Sequence, residues 1–323
     1  MKLKQCVVIG YGNVGQAVAS LISAREDMEL YRVIRRDGVY DGNLQRGSDT
    51  LIANIELIDI VFMCMTSIGD GALAYDHIVQ FAKEGIPVVI CEKAALANFY
   101  PELKMLGSSI AYSATVGAAG VIIPAIQKYR SDVLSLHLIL NGTLNFLWYR
   151  MRRGETFEKA LACAQFKGYL ETSKETDRES IINTEFLDVF RKTILSFNVL
   201  ETGSYLRCRD LEVPSLSKKE IDKLIHSATH FRPYVEIGLH KTRCMSQFLR
   251  TYYSKGWYIH IGFVSVLEID GSLAHLKDTF NGVGIFTKVG QRIIEIGKGA
   301  HVNVTAHTMI RDAERLLSLP RSS

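Results

Sequence analysis

The 323-residue sequence lacks any apolar run near the roughly 20 residues that a membrane-spanning helix requires, since its longest run, residues 58–65, has the length of a strand. It also lacks a Cys-x-x-Cys pair among its six cysteines, so we expect reduced thiols and a cytoplasmic location rather than disulfides. No small-residue cleavage site follows the short N-terminal apolar segment, which argues against a signal peptide. We find no internal repeat and no low-complexity tract.

The sequence has no marked excess of charge of either sign. Thirty-eight Lys and Arg residues and 34 Asp and Glu residues leave a net charge of +4, which is too small to favour a nucleic-acid or membrane partner. Hydrophobic residues at 47% and charged residues at 22% are typical of a globular protein with a full core. The length allows one large domain or two domains of ordinary size.

Strand-like and helical patterns alternate in the first third of the sequence. We predict strands at residues 5–10, 29–34, 58–65 and 86–91, and helices at residues 14–24 and 72–83. This alternation predicts βαβ units and a parallel sheet. The strands are apolar throughout, which is typical of a sheet that helices cover on both faces.

The pattern changes near residue 131. We predict a strand at residues 133–140, followed by helices at 144–153, 157–166, 181–197, 218–229 and 303–317. Residues 231–295 are rich in β-branched and aromatic side chains and contain the turn signals Asp270-Gly271 and Asn281-Gly282, so they predict antiparallel strands. We therefore place a domain boundary at residue 130, between a parallel α/β domain and a second, α+β domain.

A Gly-x-Gly-x-x-Gly motif, made by Gly10, Gly12 and Gly15, follows the first predicted strand and opens the first helix. The first glycine permits the tight turn, the second lets a pyrophosphate approach the backbone, and the third lets helix and strand pack closely. Asn13 and Val14 lie in the first helical turn, where free N–H groups favour phosphate. The motif predicts a Rossmann-type dinucleotide site in residues 1–130.

The residue about 20 positions after the third glycine contacts the adenosine ribose in this type of site. Here Arg35 and Arg36 occupy that place, and a guanidinium suits a 2′-phosphate. We therefore favour NADP over NAD. The nearby Asp37 leaves NAD as an alternative, because an acidic residue at this place would suit the ribose of NAD. Thr66 and Lys93 complete the predicted cofactor contacts.

Four further clusters carry polar or charged side chains, three at the ends of predicted elements and one within a predicted helix. They are Glu92-Lys93-Ala94, Asn141-Gly142-Thr143-Leu144-Asn145, Gly168-Tyr169-Leu170-Glu171 with Asp177, and Asp188-Val189-Phe190-Arg191-Lys192. Lys93 follows a strand, at the edge where α/β sheets bind ligands. Asp188 and Lys192 share one helical face. Oxidation of an alcohol by hydride transfer needs a base for the hydroxyl proton, a role that a lysine can fill.

Together the glycine motif and these clusters resemble the homoserine dehydrogenase family, over most of the chain. The resemblance implies NAD(P)-dependent interconversion of L-homoserine and L-aspartate 4-semialdehyde, a step of threonine and methionine biosynthesis. It also implies a homodimer formed through residues 131–299, the substrate-binding and dimerisation domain. Residues 300–323 would return to the nucleotide-binding domain.

The resemblance also implies residue roles. Lys192 corresponds to the family's proton-transfer lysine, Asp188 to the aspartate beside it, and Lys93 to a lysine near nicotinamide and substrate. Glu171 corresponds to the carboxylate that holds the substrate ammonium. The remaining predicted substrate contacts are Asn141, Gly142, Thr143, Tyr169 and Asp177. We expect no metal ion, because the nicotinamide itself carries the hydride.

Three residues depart from the family pattern. Glu92 replaces an asparagine and could pair with Lys93, while Leu138 and Phe186 replace glycines. These departures leave two alternatives open: a dehydrogenase of the same fold that acts on another amino or hydroxy acid, or a non-catalytic relative that binds NADP. His226 and His230 have the spacing of two metal ligands on a helix, but no third ligand accompanies them.

Overall fold

The computed structural model describes residues 3–47, 55–170, 177–239, 250–269 and 271–318. The chain forms two compact units, the first made of Met1–Gly120 with Val302–Ser323 and the second of Val121–His301. The division lies before the boundary that we predict at residue 130, because helix α4 (Ile122–Tyr129) packs on elements of the second unit. No helix within the described ranges combines the length and the apolar character needed to cross a bilayer.

The first unit contains a six-stranded sheet and four α-helices among its described residues. Its elements are β1 (Lys4–Ile9), α1 (Asn13–Ser23), β2 (Met28–Arg35), β3 (Gly38–Asp41), β4 (Ile60–Met63), α2 (Ala72–Lys83), β5 (Val88–Ile90), α3 (Ala94–Lys104), β6 (Ile110–Ala111) and α10 (Val302–Ser318). The strand order is β3-β2-β1-β4-β5-β6. All neighbours are parallel except β2 and β3, which form a hairpin. This confirms the predicted parallel sheet and adds an antiparallel edge strand.

The core of the first unit includes the C-terminal helix α10. Met309 and Ala313 of this helix are fully buried with Val18 and Ile22 of α1. Residues far apart in sequence therefore share one hydrophobic core, and α10 covers part of the sheet as an integral element of the unit.

The second unit is built on an antiparallel sheet. Its elements are α4, β7 (Val133–Ile139), α5 (Gly142–Met151), α6 (Phe157–Phe166), α7 (Arg178–Val199), α8 (Lys218–His226), β8 (Phe231–Gly238), β9 (Arg250–Ser254), β10 (Trp257–Ser265), α9 (Gly271–Ala274), β11 (Phe280–Thr287) and β12 (Arg292–Lys298). The strand order is β12-β11-β7-β8-β10-β9. The α/β first unit and the α+β second unit confirm the predicted fold class.

Apolar side chains on one face of this sheet pack against α5 and α7. Phe263 of β10 lies 4.8 Å from Trp148 and 5.5 Å from Phe186, measured between ring centroids. A polar row crosses the sheet, because the register places His137 of β7 opposite Glu236 of β8, which in turn lies opposite His260 of β10. Alternate residues of a strand face opposite sides of a sheet, so these three side chains share one face.

The predicted turn at Asn281-Gly282 is wrong, because both residues lie inside β11. Gly282 pairs with Ile139 on one side and Ile296 on the other. A Cβ at Gly282 would lie 2.8 Å from the side chain of Leu273, so the glycine makes room for packing rather than for a turn. The chain reverses instead at residues 288–291. Asp270 lies outside the described residues, and Gly271 begins the short helix α9.

The two histidines with metal-ligand spacing do not share a helix. Helix α8 ends at His226, and His230 lies in the turn that precedes β8. Across the described ranges, no group of three or more His, Cys, Asp and Glu side chains is arranged to hold a metal ion.

Candidate functional site

The glycine motif forms the turn between β1 and α1. Gly10 has φ of +89°, and a Cβ there would lie 2.7 Å from the carbonyl oxygen of Cys64. A Cβ at Gly15 would lie 2.0 Å from the carbonyl oxygen of Gly10, so both positions need glycine. A Cβ at Gly12 would meet no heavy atom within 4 Å, so the backbone here faces open space that a phosphate can enter.

The N-terminus of α1 keeps its positive potential. No side chain caps it and its first turn contains no acidic residue. Helical hydrogen bonding begins with the N–H of Gln16 and the carbonyl of Gly12, which leaves the N–H groups of Asn13, Val14 and Gly15 ahead of the helix. Such a helix end binds anions.

The two arginines lie in the β2–β3 hairpin. Arg35 ends β2 with its guanidinium 4.9 Å from the ring of Tyr40 and 3.4 Å from a carboxylate oxygen of Asp37. Tyr40 donates a 2.8 Å hydrogen bond to Asp37, and this bond lowers the pKa of the Asp37 carboxyl. Arg36 is exposed in the turn. The turn of the hairpin, residues 35–37, therefore presents two guanidinium groups and one carboxylate to solvent.

Thr66 and Lys93 both follow strands of the same sheet. Thr66 is exposed beyond β4, and Lys93 is the residue immediately before α3. The Lys93 backbone N–H donates a 2.9 Å hydrogen bond to the Ser67 side chain, which ties these two loops together. Both loops leave parallel strands at their carboxyl ends, the edge that also carries the glycine turn.

Glu92 caps helix α3. Its side chain is almost fully buried, and its two carboxylate oxygens accept hydrogen bonds of 2.7 Å each from the N–H groups of Ala94 and Ala95. A carboxylate is favoured at this position by the helix dipole as well as by the hydrogen bonds. Glu92, which we expect to be able to pair with Lys93, thus caps α3 through both of its carboxylate oxygens.

In the second unit, Lys192 lies in a buried polar cluster. Its side chain is 6% exposed, and Nζ lies 2.6 Å from Asp188 Oδ2. Nζ also donates a 2.9 Å hydrogen bond to the carbonyl oxygen of Leu140, where the chain leaves β7 for α5. A buried lysine needs such partners, because an isolated ammonium is costly to remove from water. The cluster holds Nζ at a defined point.

Asn141 links the N-terminus of α5 to helix α7. Its Oδ1 accepts a 2.7 Å hydrogen bond from the N–H of Leu144, which makes it the N-cap of α5. Its Nδ2 donates to Asp188 Oδ2 at 2.9 Å and to Glu185 Oε2 at 2.6 Å. The cap is thus bound to the carboxylates of Glu185 and Asp188, and the cluster combines these two carboxylates with one ammonium.

Gly142 and Thr143 begin α5 beside this cluster. A Cβ at Gly142 would lie 2.9 Å from the carbonyl oxygen of Thr279, so only glycine allows this close approach. Thr143 Oγ1 donates a 2.8 Å hydrogen bond to the carbonyl of Tyr169, whose ring makes an edge contact with Phe146. The structure therefore brings Tyr169 beside the Asn141–Thr143 turn.

Asp177 is not part of this cluster. It is the N-cap of α7 and accepts a 3.2 Å hydrogen bond from the N–H of Ser180. Asp188 lies eleven positions further along the same helix, which corresponds to about 16 Å along the axis. Asp177, which we predict as a substrate contact, therefore lies apart from this cluster. Glu171 lies outside the described residues.

Leu138 and Phe186, where the family resemblance leads us to expect glycine, are buried in the second unit. Leu138 pairs with Val235 and Val283 across the sheet, and Phe186 stacks on Phe263. Both substitutions therefore fill the core of the second unit.

Sequence reasoning missed two members of the cluster. Glu185 lies three residues before Asp188, a spacing that places both on one helical face and could have identified it. Asn281 donates a 2.7 Å hydrogen bond to the Leu140 carbonyl that also accepts from Lys192. We assigned Asn281 to a turn, and no local pattern connects it to Leu140, 141 positions away.

A Rossmann-type unit with an open glycine turn, joined in one chain to an α+β unit with a buried lysine–carboxylate cluster, defines a two-domain NAD(P)-dependent oxidoreductase. The family model described as homoserine dehydrogenase matches residues 122–313. This match extends over more than half of the chain. The chain therefore belongs to the homoserine dehydrogenase family.

Individual proteins that are similar to this chain are also homoserine dehydrogenases. The homoserine dehydrogenase of Methanocaldococcus jannaschii is 23% identical over 346 aligned positions that cover 95% of this chain and 96% of the relative. That of Sulfurisphaera tokodaii is 29% identical over 190 positions, which cover 53% of this chain and 62% of the relative. A hyperthermophilic archaeal homoserine dehydrogenase mutant in complex with NADPH shares the fold, with a TM-score of 0.69, 19% identity and 100% coverage of both chains.

Proposed function

We propose that this chain is a homoserine dehydrogenase that interconverts L-homoserine and L-aspartate 4-semialdehyde by hydride transfer and prefers NADP to NAD. The observation that carries the proposal is the buried Lys192, held between Asp188 and the Leu140 carbonyl beside the Asn141–Thr143 turn of a family member. A lysine fixed in this way can exchange a proton with the hydroxyl of the substrate.

The first unit fits a dinucleotide. The open backbone at Gly12 and the uncapped N-terminus of α1 would hold its pyrophosphate. Arg35 and Arg36 would contact a 2′-phosphate, which supports NADP. When bound, the nicotinamide supplies or accepts the hydride, so that the protein has only to bind, orient and move a proton.

In the second unit, we assign proton exchange to Nζ of Lys192. Asp188, 2.6 Å away, and the Leu140 carbonyl together fix the position and direction of Nζ. We assign binding of the amino-acid part to Glu171, Thr143, Tyr169 and the Asn141-Gly142 turn. Lys93 is assigned a contact with cofactor and substrate. In this assignment, Asp177 serves as a helix cap rather than as a substrate contact.

We also infer a homodimer formed through the second unit and a cytoplasmic location. The family resemblance supports the first inference, and the scattered cysteines support the second. Light scattering on the purified protein, with a mass twice that of the chain expected, tests the oligomeric state.

The activity is tested by NADPH consumption with aspartate 4-semialdehyde, and by reduction of NADP⁺ and NAD⁺ with L-homoserine. We expect turnover in both directions and a higher kcat/KM with the phosphorylated cofactor. A panel of other amino and hydroxy acids, run in parallel, covers the alternative substrate classes. NADPH binding without turnover of any of these substrates would contradict the proposal.

A further inference from the structure

The carbonyl oxygen of Leu140 accepts two hydrogen bonds, one from Lys192 and one from Asn281. The distances are 2.9 Å from Lys192 Nζ and 2.7 Å from Asn281 Nδ2. Both donors are buried, since Asn281 is 1% exposed and Lys192 is 5% exposed. A carbonyl has two lone pairs, so these two donors use its full capacity and hold the peptide group in one orientation.

The orientation of the Asn281 amide is defined by its partner. A carbonyl can only accept, so the atom that faces Leu140 must be the donor Nδ2. This leaves Oδ1 buried and without a hydrogen-bond partner. An unpaired buried acceptor costs stability, and such a group calls for an explanation other than stability.

From this geometry we propose that Asn281 is a positioning residue for the reaction: its amide locks the Leu140 carbonyl and thereby fixes Nζ of Lys192 at the point of proton exchange. The proposal rests on the proposed function and adds to it a residue outside the sequence clusters. Asn281 acts through the carbonyl, in contrast to Asp188, which contacts Nζ itself.

Gly299 makes this arrangement possible. Its N–H donates a 2.7 Å hydrogen bond to the carbonyl of Thr279, which holds the segment after β12 against the beginning of β11. A Cβ at Gly299 would lie 2.0 Å from Asn281 Oδ1. An alanine at position 299 would therefore displace the Asn281 side chain, so Gly299→Ala offers a second and independent way to remove the same contact.

The main test is Asn281→Leu, which keeps the shape of the side chain but removes both amide atoms. It removes one hydrogen bond and also the unpaired Oδ1, so we expect the melting temperature to stay within about 3 °C of the wild type. We expect kcat for homoserine oxidation to fall about 10- to 100-fold, because a misplaced proton acceptor is costly, while KM changes less than about threefold. Gly299→Ala should reproduce the loss of kcat.

A spectroscopic readout does not depend on turnover. In protein labelled with ¹⁵Nζ-lysine, the Lys192 resonance can be assigned by its loss in Lys192→Arg. We expect this resonance to shift in Asn281→Leu and in Gly299→Ala, because Nζ loses its fixed acceptor. The shift would be observed even if homoserine were not the substrate, so failure of the proposed function and failure of this inference can be told apart.

Asn198→Leu provides the matched control. Asn198 is fully buried on α7 and makes two 2.8 Å hydrogen bonds with the backbone of Leu206. Its replacement should lower the melting temperature but leave kcat and the Lys192 resonance unchanged. An unshifted Lys192 resonance in Asn281→Leu, or kcat within about twofold of the wild type in an enzyme that turns over homoserine, would overturn the inference.

Discussion

Lys192 is the residue on which the proposed chemistry depends. Its charge is removed from water and compensated by one carboxylate, Asp188, and one backbone carbonyl, that of Leu140. Removing one partner of a buried pair leaves the other charge without compensation, so such a pair is sensitive to change on either side. The arrangement is therefore suited to holding a reactive amine in place more than to adding stability.

At this scale we predict that Lys192→Ala abolishes homoserine oxidation while the dissociation constant of NADPH changes by no more than a few fold. The glycine turn that would bind the pyrophosphate belongs to the first unit and does not include Lys192. Steady-state kinetics and NADPH fluorescence measure the two properties. Lys159→Ala, at an exposed position on α6, is the matched control and should keep wild-type turnover. Retained activity in Lys192→Ala would exclude the assignment.

Glu92 illustrates how a departure from a family pattern can be structural. Its carboxylate satisfies two N–H groups at the start of α3. We predict that Glu92→Ala lowers the free energy of unfolding by about 1–2 kcal/mol, the cost of losing a helix cap. Denaturant unfolding measures this change. Glu84→Ala, at an exposed position after α2, should change it by less than about 0.5 kcal/mol. Equal effects of the two substitutions would argue against the capping role.

At the scale of elements, the β2–β3 hairpin carries the residues for cofactor preference. Arg35, Arg36 and Asp37 leave the turn between its strands with a net positive charge. We predict that replacing Arg35 and Arg36 together by Ala raises KM for NADP⁺ at least about tenfold and leaves KM for NAD⁺ within about threefold, because only NADP⁺ carries the 2′-phosphate. Arg32→Ala, on the same strand, is the control. A parallel change for both cofactors would contradict this role of the hairpin.

The sheet of the second unit contains a titratable row. His137 forms hydrogen bonds through Nδ1 with Tyr234 and through Nε2 with Ser135, the latter at 3.1 Å. Burial lowers the pKa of His137, and Arg292 lowers it further, although Glu236 opposes the shift. The unfolded chain therefore binds this proton more readily than the folded chain does. Histidine in the unfolded chain has a pKa of about 6.5, so the unfolded state gains this proton first as the pH falls. The free energy of unfolding is therefore highest above that pH and decreases below it.

We therefore predict that the free energy of unfolding decreases from pH 7.5 to pH 5.5 and that His137→Asn reduces this decrease. Urea unfolding at several pH values gives the comparison. His226→Gln, at the exposed end of α8, should keep the wild-type slope. A slope that is the same in wild type and in His137→Asn would assign the pH dependence to other groups.

At the scale of the whole molecule, helix α10 completes the hydrophobic core of the first unit. Met309 of α10 is fully buried in the core that α1 and the parallel sheet form. We predict that Met309→Ala lowers the free energy of unfolding by about 2–5 kcal/mol, as expected for a large-to-small change in a core. Met105→Ala, which is 87% exposed, should have little effect. A small effect of Met309→Ala would show that α10 is dispensable for this core.

Much of the fold could be predicted from local patterns. The glycine spacing, the apolar strands and the alternation with helices depend on neighbouring residues, so they are readable in the sequence. The two edge strands, β3 and β6, are not predicted by the sequence, because each has only a few residues. The Asn281-Gly282 pair was misassigned because its turn propensity is overridden by hydrogen bonding to strands on both sides.

The same division applies to the candidate site. The glycine turn, the arginines at the end of β2 and the i,i+4 pair of Asp188 and Lys192 can be identified from the sequence alone, because each depends on spacing within one short segment. That Leu140, Asn281 and Lys192 meet is visible only in the folded chain. Contacts between distant segments follow from the packing of whole elements, which no local spacing encodes.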